Sequence, residues 1–402
     1  MSNPLQSYFN FNLCSKFVSE SNLKRLTMKI LWMNHRDIAN PKAGGAERTI
    51  YEIGRRLVLH GHEVDVLAGG WPGAMRHETI DGVRFHRYGN RVAPHLVHPF
   101  FLMYHSNADV IVDDMAHAAP WCSPWFSKKP GVVFFRHMHA RTLKGQVTPY
   151  MAQTLTFLER HYSFFYKTWP FVTESSSSER DLNSLGVGSH RIIRIPPGVD
   201  TELFRPRAKT VEPSMVYFGG MRPYKRPEHA LFALSILRNK GCRVHLTMIG
   251  DGPSLSLLKN LSFELGVHKD VSFVGRVPDE RLSDIVSSSW VNLHCSFSEG
   301  WGLSVVESAA AGTPTVAYRV PGVSESVVEG KNGVLVEDGN VKALSNAVSS
   351  VIQAKGSMAE TCRLTAEGYS WGRTSRNWET MLLELTCQAD PFGERNCISK
   401  YS

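Results

Sequence analysis

Short apolar runs, bounded by glycine or polar positions, alternate along the chain with amphipathic stretches. The first run, Met28-Lys-Ile-Leu-Trp-Met33, predicts a buried strand. The helical spacing of Ile50, Ile53 and Leu57 predicts the helix that follows, and Glu63-Val-Asp-Val-Leu-Ala68 predicts the next strand. Strand, helix and strand in this order are typical of a parallel α/β sheet.

The same alternation starts again in the second half of the chain. Strands are predicted at Ser214–Phe218, Val244–Ile249 and Val291–Cys295, and helices are predicted between them. The polar, proline-marked stretch at 206–213 has the composition of a linker. A chain of 402 residues is long enough for two hydrophobic cores. We therefore predict an α/β protein with two doubly wound, Rossmann-like domains that face a central cleft.

The pattern divides the chain into five segments. They are a flexible N-terminal extension at 1–27, an N-terminal, acceptor-side domain at 28–206, a C-terminal, donor-binding domain at 207–370, a C-terminal helix at 371–389 that crosses back to the N-terminal domain, and a frayed tail at 390–402. The extension is either a flexible leader or sequence upstream of a natural start at Met28. It lacks the compact apolar core of a signal peptide.

Composition and charge limit the kinds of partner and site that the protein can have. The net charge of +8 fits an anionic substrate, a membrane surface or nucleic acid, but no zinc-finger spacing, RNP-type aromatic motif or long basic tract supports nucleic acid. No apolar run approaches the roughly 20 residues that span a bilayer. The seven cysteines are scattered and never form C-x-x-C. This pattern favours a reducing, cytoplasmic location and argues against a structural metal.

A loop in the second half carries the most specific chemistry. Gly300 and Gly302 let the backbone approach a ligand, and a helix predicted to start at about Leu303 offers free N–H groups to a phosphate. Glu299 and Glu307 flank this anion site. Carboxylates accept hydrogen bonds from sugar hydroxyls, so an anion site between two carboxylates predicts a nucleotide sugar.

Other strand ends offer weaker signals. The Gly44-Gly45 pair follows the first strand, where it is either part of a ligand site or a tight turn without a ligand. Arg222, Lys225 and Arg226 form a basic loop that either binds a diphosphate or is simply solvated. Asp113-Asp114 is more typical of a cap or a solvated turn than of a metal site.

The strand predicted at 129–135 runs into a second polar segment. His137 and His139 lie two positions apart, so on an extended chain they point in opposite directions and only one needs to face the cleft. A helix is predicted from about Tyr150 to Lys167.

Taken together, these motifs resemble the retaining GT-B glycosyltransferases of family 4, over roughly Met28 to Leu385. The matching motifs are Gly44-Gly-Ala-Glu-Arg48, Ile195-Pro-Pro-Gly-Val-Asp200 with Phe204 and Pro206, Pro223-Tyr-Lys-Arg-Pro227, Gly250-Asp-Gly-Pro253, Phe273-Val-Gly-Arg-Val277, and Glu299 with Glu307. Each motif is weak alone, and their order is what makes the resemblance specific.

The resemblance implies a role for each matching residue. Glu299 is expected to hold hydroxyls of the transferred sugar, Glu307 to bind the nucleotide ribose, and Lys225 to stabilise the departing nucleoside diphosphate. The other donor-binding positions that it implies are Gly44, Gly45, Arg222, Gly275, Arg276, Val277, Gly300, Gly302, Leu303 and Ser304. No metal and no cofactor are expected, because basic groups and a helix start replace the metal ion.

The chain departs from the family pattern in two places. The family arginine falls on Gly220, and Arg222 is either a substitute from a shifted loop or leaves one positive charge missing. The family histidine falls on Arg136 in one alignment and on His137 in another, with His139 the next candidate. We expect a catalytic role for the His137/His139 pair, in addition to Glu299 and Lys225.

The predicted activity is that of a hexosyltransferase. The resemblance implies front-face transfer, with retention, of a hexose-type sugar from a UDP- or GDP-linked donor to a hydroxyl acceptor. The alternatives are a nucleotide-sugar-binding protein without transfer activity and, disfavoured by the motif set, a GT-B 2-epimerase. The aromatic segments His95–Tyr104 and Ala119–Phe126, with the basic balance, predict a lipid-linked acceptor and contact with an anionic membrane surface, unless these aromatics only pack in the core.

Overall fold

The computed structural model describes residues 27–90, 92–143, 147–354 and 356–388. The predicted extension, apart from its last residue, and the predicted tail at 390–402 lie outside these ranges. The described chain forms two sheets, one of eight strands and one of six, with helices on their faces.

The first sheet has the order β3-β4-β2-β1-β5-β6-β7-β8, and every neighbouring pair is parallel except β3 with β4. Its elements are β1 (Lys29–Met33), α1 (Gly45–Leu59), β2 (Glu63–Gly69), β3 (His77–Ile80), β4 (Val83–Tyr88), α2 (Ala93–Tyr104), β5 (Val110–Met115), β6 (Gly131–Phe135), α3 (Pro149–Arg160), α4 (Tyr162–Phe165), β7 (Phe171–Thr173), α5 (Ser176–Ser184) and β8 (Ile192–Arg194).

The second sheet is parallel throughout, with the order β11-β10-β9-β12-β13-β14. Its elements are β9 (Ser214–Phe218), α6 (Glu228–Asn239), β10 (His245–Ile249), α7 (Leu255–Glu264), β11 (Val271–Gly275), α8 (Asp279–Ser288), β12 (Val291–His294), α9 (Leu303–Ala310), β13 (Thr315–Tyr318), α10 (Val323–Ser326), β14 (Gly333–Val336), α11 (Val341–Gln353) and α12 (Ala359–Glu367); a last helix, α13 (Trp371–Gln388), follows.

The order of the strands predicts where a ligand binds at each sheet. In the first sheet, β1 lies between β2 and β5, so the connections reverse direction between β1 and β5. In the second sheet, β9 lies between β10 and β12, and the reversal falls between β9 and β12. Ligands of open α/β sheets bind at such switch points, outside the carboxyl ends of the strands.

The chain passes between the two sheets twice, at adjacent places. Val199 forms a parallel bridge with Ser370, and its N–H donates to the Tyr369 carbonyl at 2.8 Å. Val199 and Phe204 already pack with the second sheet's residues, so the chain crosses before the linker predicted at 206–213. After the return crossing, α13 packs on the first sheet, where Trp378 is fully buried against Trp32.

Two local predictions are wrong. The helix predicted from Tyr150 to Lys167 is two helices, α3 and α4, which are interrupted at His161. The Asp113-Asp114 pair is not a solvated turn, since both carboxylates are fully buried within β5. In the part of the chain that the structure describes, every helix is too short or too polar to span a bilayer.

Candidate active site

The central feature of the second domain is an ion pair between the loops that follow β9 and β12. Lys225 Nζ donates to Glu299 Oε1 at 2.6 Å, and the Ser296 hydroxyl donates to the same oxygen at 2.7 Å. His294 Nε2 lies 3.8 Å from this oxygen. The two predicted residues, Lys225 and Glu299, therefore meet at the switch point of the second sheet.

Burial and charge set the protonation of this cluster. Burial alone would raise the pKa of Glu299, but Lys225 and the Ser296 hydrogen bond lower it to about 2. Burial would lower the pKa of Lys225, yet the Glu299 carboxylate raises it. Burial lowers the pKa of His294 to about 4. At neutral pH the cluster is thus a carboxylate, an ammonium and a neutral imidazole.

The helix α9 begins beside this pair, at the predicted Leu303. Gly302 caps it with φ of 99°, a left-handed conformation that favours glycine. The Ser304 hydroxyl lies 2.9 Å from His294 Nδ1, which ties the first turn of the helix to the end of β12. The free N–H groups of this turn suit a phosphate, with the Lys225 ammonium close to them.

Glu307, one turn further along α9, lies close to Arg48 of the first domain. Burial raises the pKa of Glu307, and Arg48 acts against that rise. Arg48 Nη1 also donates to Asp279 Oδ2 at 2.6 Å, so one guanidinium links the two domains. Arg48 belongs to the Gly44–Arg48 motif, but the motif pattern alone does not single it out.

Glycines allow the two domains to meet closely at the cleft. A Cβ at Gly45 would lie 3.0 Å from Leu303 Cδ1, and one at Gly300 would lie 2.7 Å from the Arg136 carbonyl oxygen. Gly44 caps α1 with an extended backbone, and its N–H donates to Glu47 Oε2 at 2.7 Å. Gly45 therefore faces the start of α9, and Gly300 faces the residue that follows β6.

The predicted geometry of the histidine pair is wrong. The chain does not stay extended after β6, because His139–Arg141 forms a 3₁₀ turn. Instead of pointing apart, the rings face each other, with His139 Nδ1 3.4 Å from His137 Nε2. His139 is buried, and its Nε2 donates to the Met115 carbonyl at 3.0 Å.

His137 is the member of the pair that faces the second domain. Burial lowers its pKa to about 4, with Glu299 acting to raise it and Lys225 to lower it. Arg136, the other position on which the family histidine falls, is buried and donates to Asp114 and Glu174 at 2.7 Å each. Its guanidinium is thus held inside the first domain.

The side chains of the basic loop point in two directions. Arg222 lies close enough to Lys225 to act against the rise of its pKa. Arg226 turns away, since its guanidinium donates to Asp338 and to the Cys295 carbonyl. The prediction that Arg226 serves the same diphosphate therefore disagrees with the structure. Gly220 adjoins Arg222, and a Cβ there would lie 3.6 Å from Arg222 Nε.

The predicted donor-binding residues Gly275, Arg276 and Val277 lie at the end of β11. Gly275 closes the strand with φ of 70°, and Arg276 Nη2 donates to the Ala43 carbonyl of the first domain at 3.1 Å. Val277 packs with the cluster that contains Val306 of α9. These positions border the same cleft as Glu307.

A further contact joins the domains on the other side of the cleft. The Glu325 carboxylate accepts hydrogen bonds from the N–H and the hydroxyl of both Ser176 and Ser177, at 2.5 to 2.8 Å. The Ser177 hydroxyl also accepts from the Gly322 N–H at 2.8 Å. Ser175 of the same serine run caps α5, but nothing in the local pattern of the run indicates a partner 148 positions away.

Within the described ranges, no group of three or more His, Cys, Asp and Glu side chains is arranged to hold a metal ion. Asp113 accepts from Ser123 and Tyr166, and Asp114 accepts from Arg136 and Trp32. Their oxygens therefore already have protein partners.

Two family models match successive parts of the chain. The model described as Glycosyltransferase Family 4 matches residues 43–203, and the model described as Glycosyl transferases group 1 matches residues 199–368. Together they cover every strand of the two sheets except β1, and all of the site residues described above.

Curated relatives align with part of the chain. A D-inositol 3-phosphate glycosyltransferase of Acidothermus cellulolyticus is 33% identical over 213 residues, which is 48% of this chain and 47% of the relative. A GDP-mannose-dependent alpha-(1-6)-phosphatidylinositol monomannoside mannosyltransferase of Mycolicibacterium smegmatis is 30% identical over 207 residues, 46% of this chain and 53% of the relative. The chain spans about half the length of these relatives, and 22% of an exopolysaccharide phosphotransferase of Streptomyces coelicolor.

Solved structures align over nearly the whole chain. Sucrose-phosphate synthase from Thermosynechococcus elongatus has a TM-score of 0.77 at 20% identity, covering 90% of this chain and 100% of that one. HepE of Anabaena, solved with UDP and glucose, has a TM-score of 0.71 at 17% identity, covering 89% of this chain and 100% of that one. At such identities the likeness shows the fold, and the predicted GT-B architecture is confirmed.

Proposed function

Since this chain belongs to family 4 of the GT-B glycosyltransferases, we propose that it transfers a sugar from a nucleotide-diphosphate sugar to a hydroxyl acceptor. The observation that carries the proposal is the Lys225–Glu299 pair beside the start of α9. This arrangement places a cation and free backbone N–H groups where a diphosphate needs them, and a carboxylate where sugar hydroxyls need an acceptor.

Each residue of the site has a task in this proposal. Lys225 and the first turn of α9 bind the diphosphate and stabilise the charge that develops as it departs. Glu299 accepts hydrogen bonds from the sugar, and Glu307 accepts them from the ribose, held in place by Arg48. No side chain in the site is placed as an evident nucleophile, which favours front-face transfer with retention of configuration. The positive field of Lys225 and α9 makes transfer without a metal ion part of the proposal.

The donor is proposed to be a UDP- or GDP-linked hexose. The GDP-mannose-dependent relatives support guanine as one candidate base, and the structure solved with UDP and glucose supports uracil as the other. A thermal-shift screen over UDP-, GDP-, ADP- and dTDP-sugars separates them, because ligand binding raises the melting temperature by mass action.

The test of transfer chemistry is donor hydrolysis. The wild type is expected to release free sugar and nucleoside diphosphate slowly from its own donor, and Glu299→Gln is expected to abolish that release. Glu329→Gln is the matched control, since Glu329 lies on the same domain in an exposed pair with Arg319. Donor binding without turnover, in the presence of any acceptor extract, would instead favour a nucleotide-sugar-binding protein. Release of an epimerised sugar would favour a 2-epimerase.

We further propose that the acceptor is presented at an anionic membrane surface. The helix α2 exposes Leu96, Phe100 and Tyr104, each more than 70% accessible, along one face. Trp125 and Phe126 are exposed as well, and the Phe126 ring lies 5.6 Å from the ring of His98, on the buried side of the same helix.

A second group of exposed aromatic side chains, with lysines beside it, supports the same proposal. Trp125 contacts Phe164 at 6.1 Å between ring centroids, and Lys167 Nζ lies 4.8 Å from the Phe164 centroid. Lys128 is also exposed, whereas no described carboxylate between 92 and 170 is exposed. Exposed apolar and aromatic side chains beside Lys128 and Lys167 fit an anionic bilayer.

Vesicle flotation tests this surface. At low salt, the wild type is expected to float with phosphatidylglycerol-containing vesicles, and Phe100→Glu is expected to stay in solution. Leu257→Glu is the matched control, because Leu257 is equally exposed, at 71%, on the second domain. Absence of wild-type binding, or equal loss in both variants, contradicts the proposal.

A further inference from the structure

His294, the last residue of β12, lies between two parts of the site in the second domain. Its Nδ1 lies 2.9 Å from the hydroxyl oxygen of Ser304, in the first turn of α9. Its Nε2 lies 3.8 Å from Glu299 Oε1, in the loop that follows β12. A Cβ on Gly302 would lie 3.8 Å from His294 Cε1, so the ring also lies against the end of this loop. One imidazole is therefore next to both the phosphate side and the sugar side of the proposed donor site.

The Nε2 atom of His294 is buried and has no hydrogen-bond partner among the residues that the structure describes. The side chain is only 7% exposed, so bulk water does not supply the missing partner. A buried polar atom without a partner costs free energy, and such atoms are uncommon in native proteins. The distance from Nε2 to Glu299 Oε1 exceeds that of a hydrogen bond by about 1 Å. A small movement of one side chain would therefore provide the partner.

The surroundings of the His294 ring indicate which nitrogen carries the proton. Burial lowers the pKa of His294 to about 4, so at neutral pH the ring has one donor and one acceptor. A lone pair on Nε2 would face the negative charge of Glu299, whereas an N–H group at Nε2 is attracted by that charge. The Ser304 hydroxyl can donate to Nδ1, which leaves the proton on Nε2. His294 thus directs an unused N–H donor towards the Glu299 carboxylate.

Glu299 Oε1 has other donors in this structure. It accepts from the Lys225 ammonium at 2.6 Å and from the Ser296 hydroxyl at 2.7 Å. Because these two bonds already satisfy the oxygen, the N–H group of His294 stays at a distance from it. The ion pair with Lys225 is therefore the contact that keeps His294 without a partner.

Donor binding changes the demand on Lys225. In the proposed function the same ammonium binds the diphosphate, whose negative charge exceeds that of one carboxylate. As Lys225 turns to the diphosphate, Glu299 loses its bond to a cation while its side chain remains only 14% exposed. A buried carboxylate without a partner is costly, so a second donor that takes over this bond stabilises the complex with the donor.

We propose that His294 is a positioning residue, whose Nε2–H replaces Lys225 at Glu299 Oε1 when the diphosphate of the donor draws the ammonium away. Glu299 then stays ionised and in place to accept hydrogen bonds from the sugar. The exchange moves no proton and breaks no covalent bond, since one hydrogen bond to Oε1 replaces another. This inference rests on the proposed function and deepens it, because it lets one lysine serve the carboxylate before binding and the diphosphate after it.

Calorimetry with UDP and GDP tests the exchange of partners. His294→Asn keeps a polar atom near the position of Nδ1 but lacks the Nε2 donor, and it is expected to bind the preferred nucleotide about tenfold more weakly. His294→Gln places an amide N–H near the position of Nε2, and it is expected to bind within about twofold of the wild type. His245→Phe is the matched control, because His245 also lies beside a serine hydroxyl, that of Ser272, but at the amino end of its strand.

The Glu299→Gln background separates this role from simple packing. Without the charge of Glu299 there is no carboxylate for His294 to stabilise, so His294→Asn is expected to change the affinity there by less than about twofold. An equal loss of affinity in both backgrounds would show that His294 only supports Ser304 and the start of α9, and would overturn the inference. Wild-type affinity in His294→Asn would overturn it as well. Thermal melts of the variants check that they fold.

Imidazole ¹H–¹⁵N spectra at about pH 8 observe the new hydrogen bond directly, with the His294 signal assigned by its absence in His294→Gln. Saturating UDP or GDP is expected to move the Nε2–H proton downfield and to slow its exchange with water, and Lys225→Met is expected to show the same change without nucleotide. An Nε2 without a proton, or an unchanged signal in Lys225→Met or in the saturated wild type, overturns the inference. Failure of the wild type to bind either nucleotide would count against the proposed function instead, and the Lys225→Met spectrum would still test the role of His294.

Discussion

Replacing Glu299 by Gln removes one charge from the buried pair at the centre of the site. The side chains of Lys225 and Glu299 are only 21% and 14% exposed, so water screens the pair weakly. The pKa of Glu299 lies at about 2 instead of 4.5, and a tenfold change in an acid constant is worth about 1.4 kcal/mol. The native state therefore favours the charged carboxylate by about 3 kcal/mol, which is the expected loss of unfolding free energy in Glu299→Gln.

Urea denaturation at pH 7 measures this loss, and a double-mutant cycle with Lys225→Met assigns it. The double variant buries no unpaired ammonium, so it is expected to be more stable than Glu299→Gln alone. Glu329→Gln, in the exposed pair with Arg319, is expected to change the unfolding free energy by less than about 0.5 kcal/mol.

Nucleotide binding provides the second readout of the same change. Glu299→Gln releases Lys225 from its carboxylate, so UDP or GDP is expected to bind as tightly as to the wild type, or more tightly. Lys225→Met is expected to weaken binding about tenfold or more, because a charge-assisted hydrogen bond is lost. Equal weakening in both variants, measured by calorimetry, would refute the assignment of Lys225 to the diphosphate.

The stability contributed by the Glu299 charge depends on pH in a defined direction. The folded-state pKa of Glu299 lies below its ordinary value of 4.5, so its contribution is complete above about pH 4.5 and is lost as the pH falls towards 2. The difference in stability between the wild type and Glu299→Gln is expected to shrink across that range. A constant difference down to pH 2.5 would show that the charge of Glu299 is not its source.

Two further predictions concern how the domains are held. Trp378→Ala is expected to lower the free energy of unfolding by about 3–5 kcal/mol, measured with denaturant, because the indole is fully buried against Trp32. Trp378→Phe is expected to lower it less, because this change keeps an aromatic ring and removes a buried N–H that has no partner among the described residues. Glu325→Ala is expected to weaken donor binding and raise the radius of gyration in small-angle scattering, because it removes the hydrogen bonds from Ser176 and Ser177; an unchanged radius with unchanged binding would contradict a role in domain closure.

Periodicity and motif order predict the two sheets and the start of α9, because both depend on local sequence. One of the wrong predictions depends on a contact between distant segments. Asp113-Asp114 resembles a turn in sequence, yet Asp114 is buried because Arg136, 22 positions away, folds against it. The prediction that His137 and His139 point in opposite directions fails for a different reason. It assumes an extended chain, and a 3₁₀ turn forms at His139–Arg141 instead.

The contacts that close the cleft also constrain how a donor enters it. Arg48 bonds Asp279 on one side of the cleft and Glu325 bonds Ser177 on the other, so both must lengthen if the domains separate. The two crossings lie side by side at Val199 and Ser370, which lets the domains rotate about one short line. Because the Gly300 backbone already meets the first domain, a donor is expected to enter only after such a rotation. Donor binding should therefore depend on Glu325 and Arg48 as much as on the residues that touch the nucleotide.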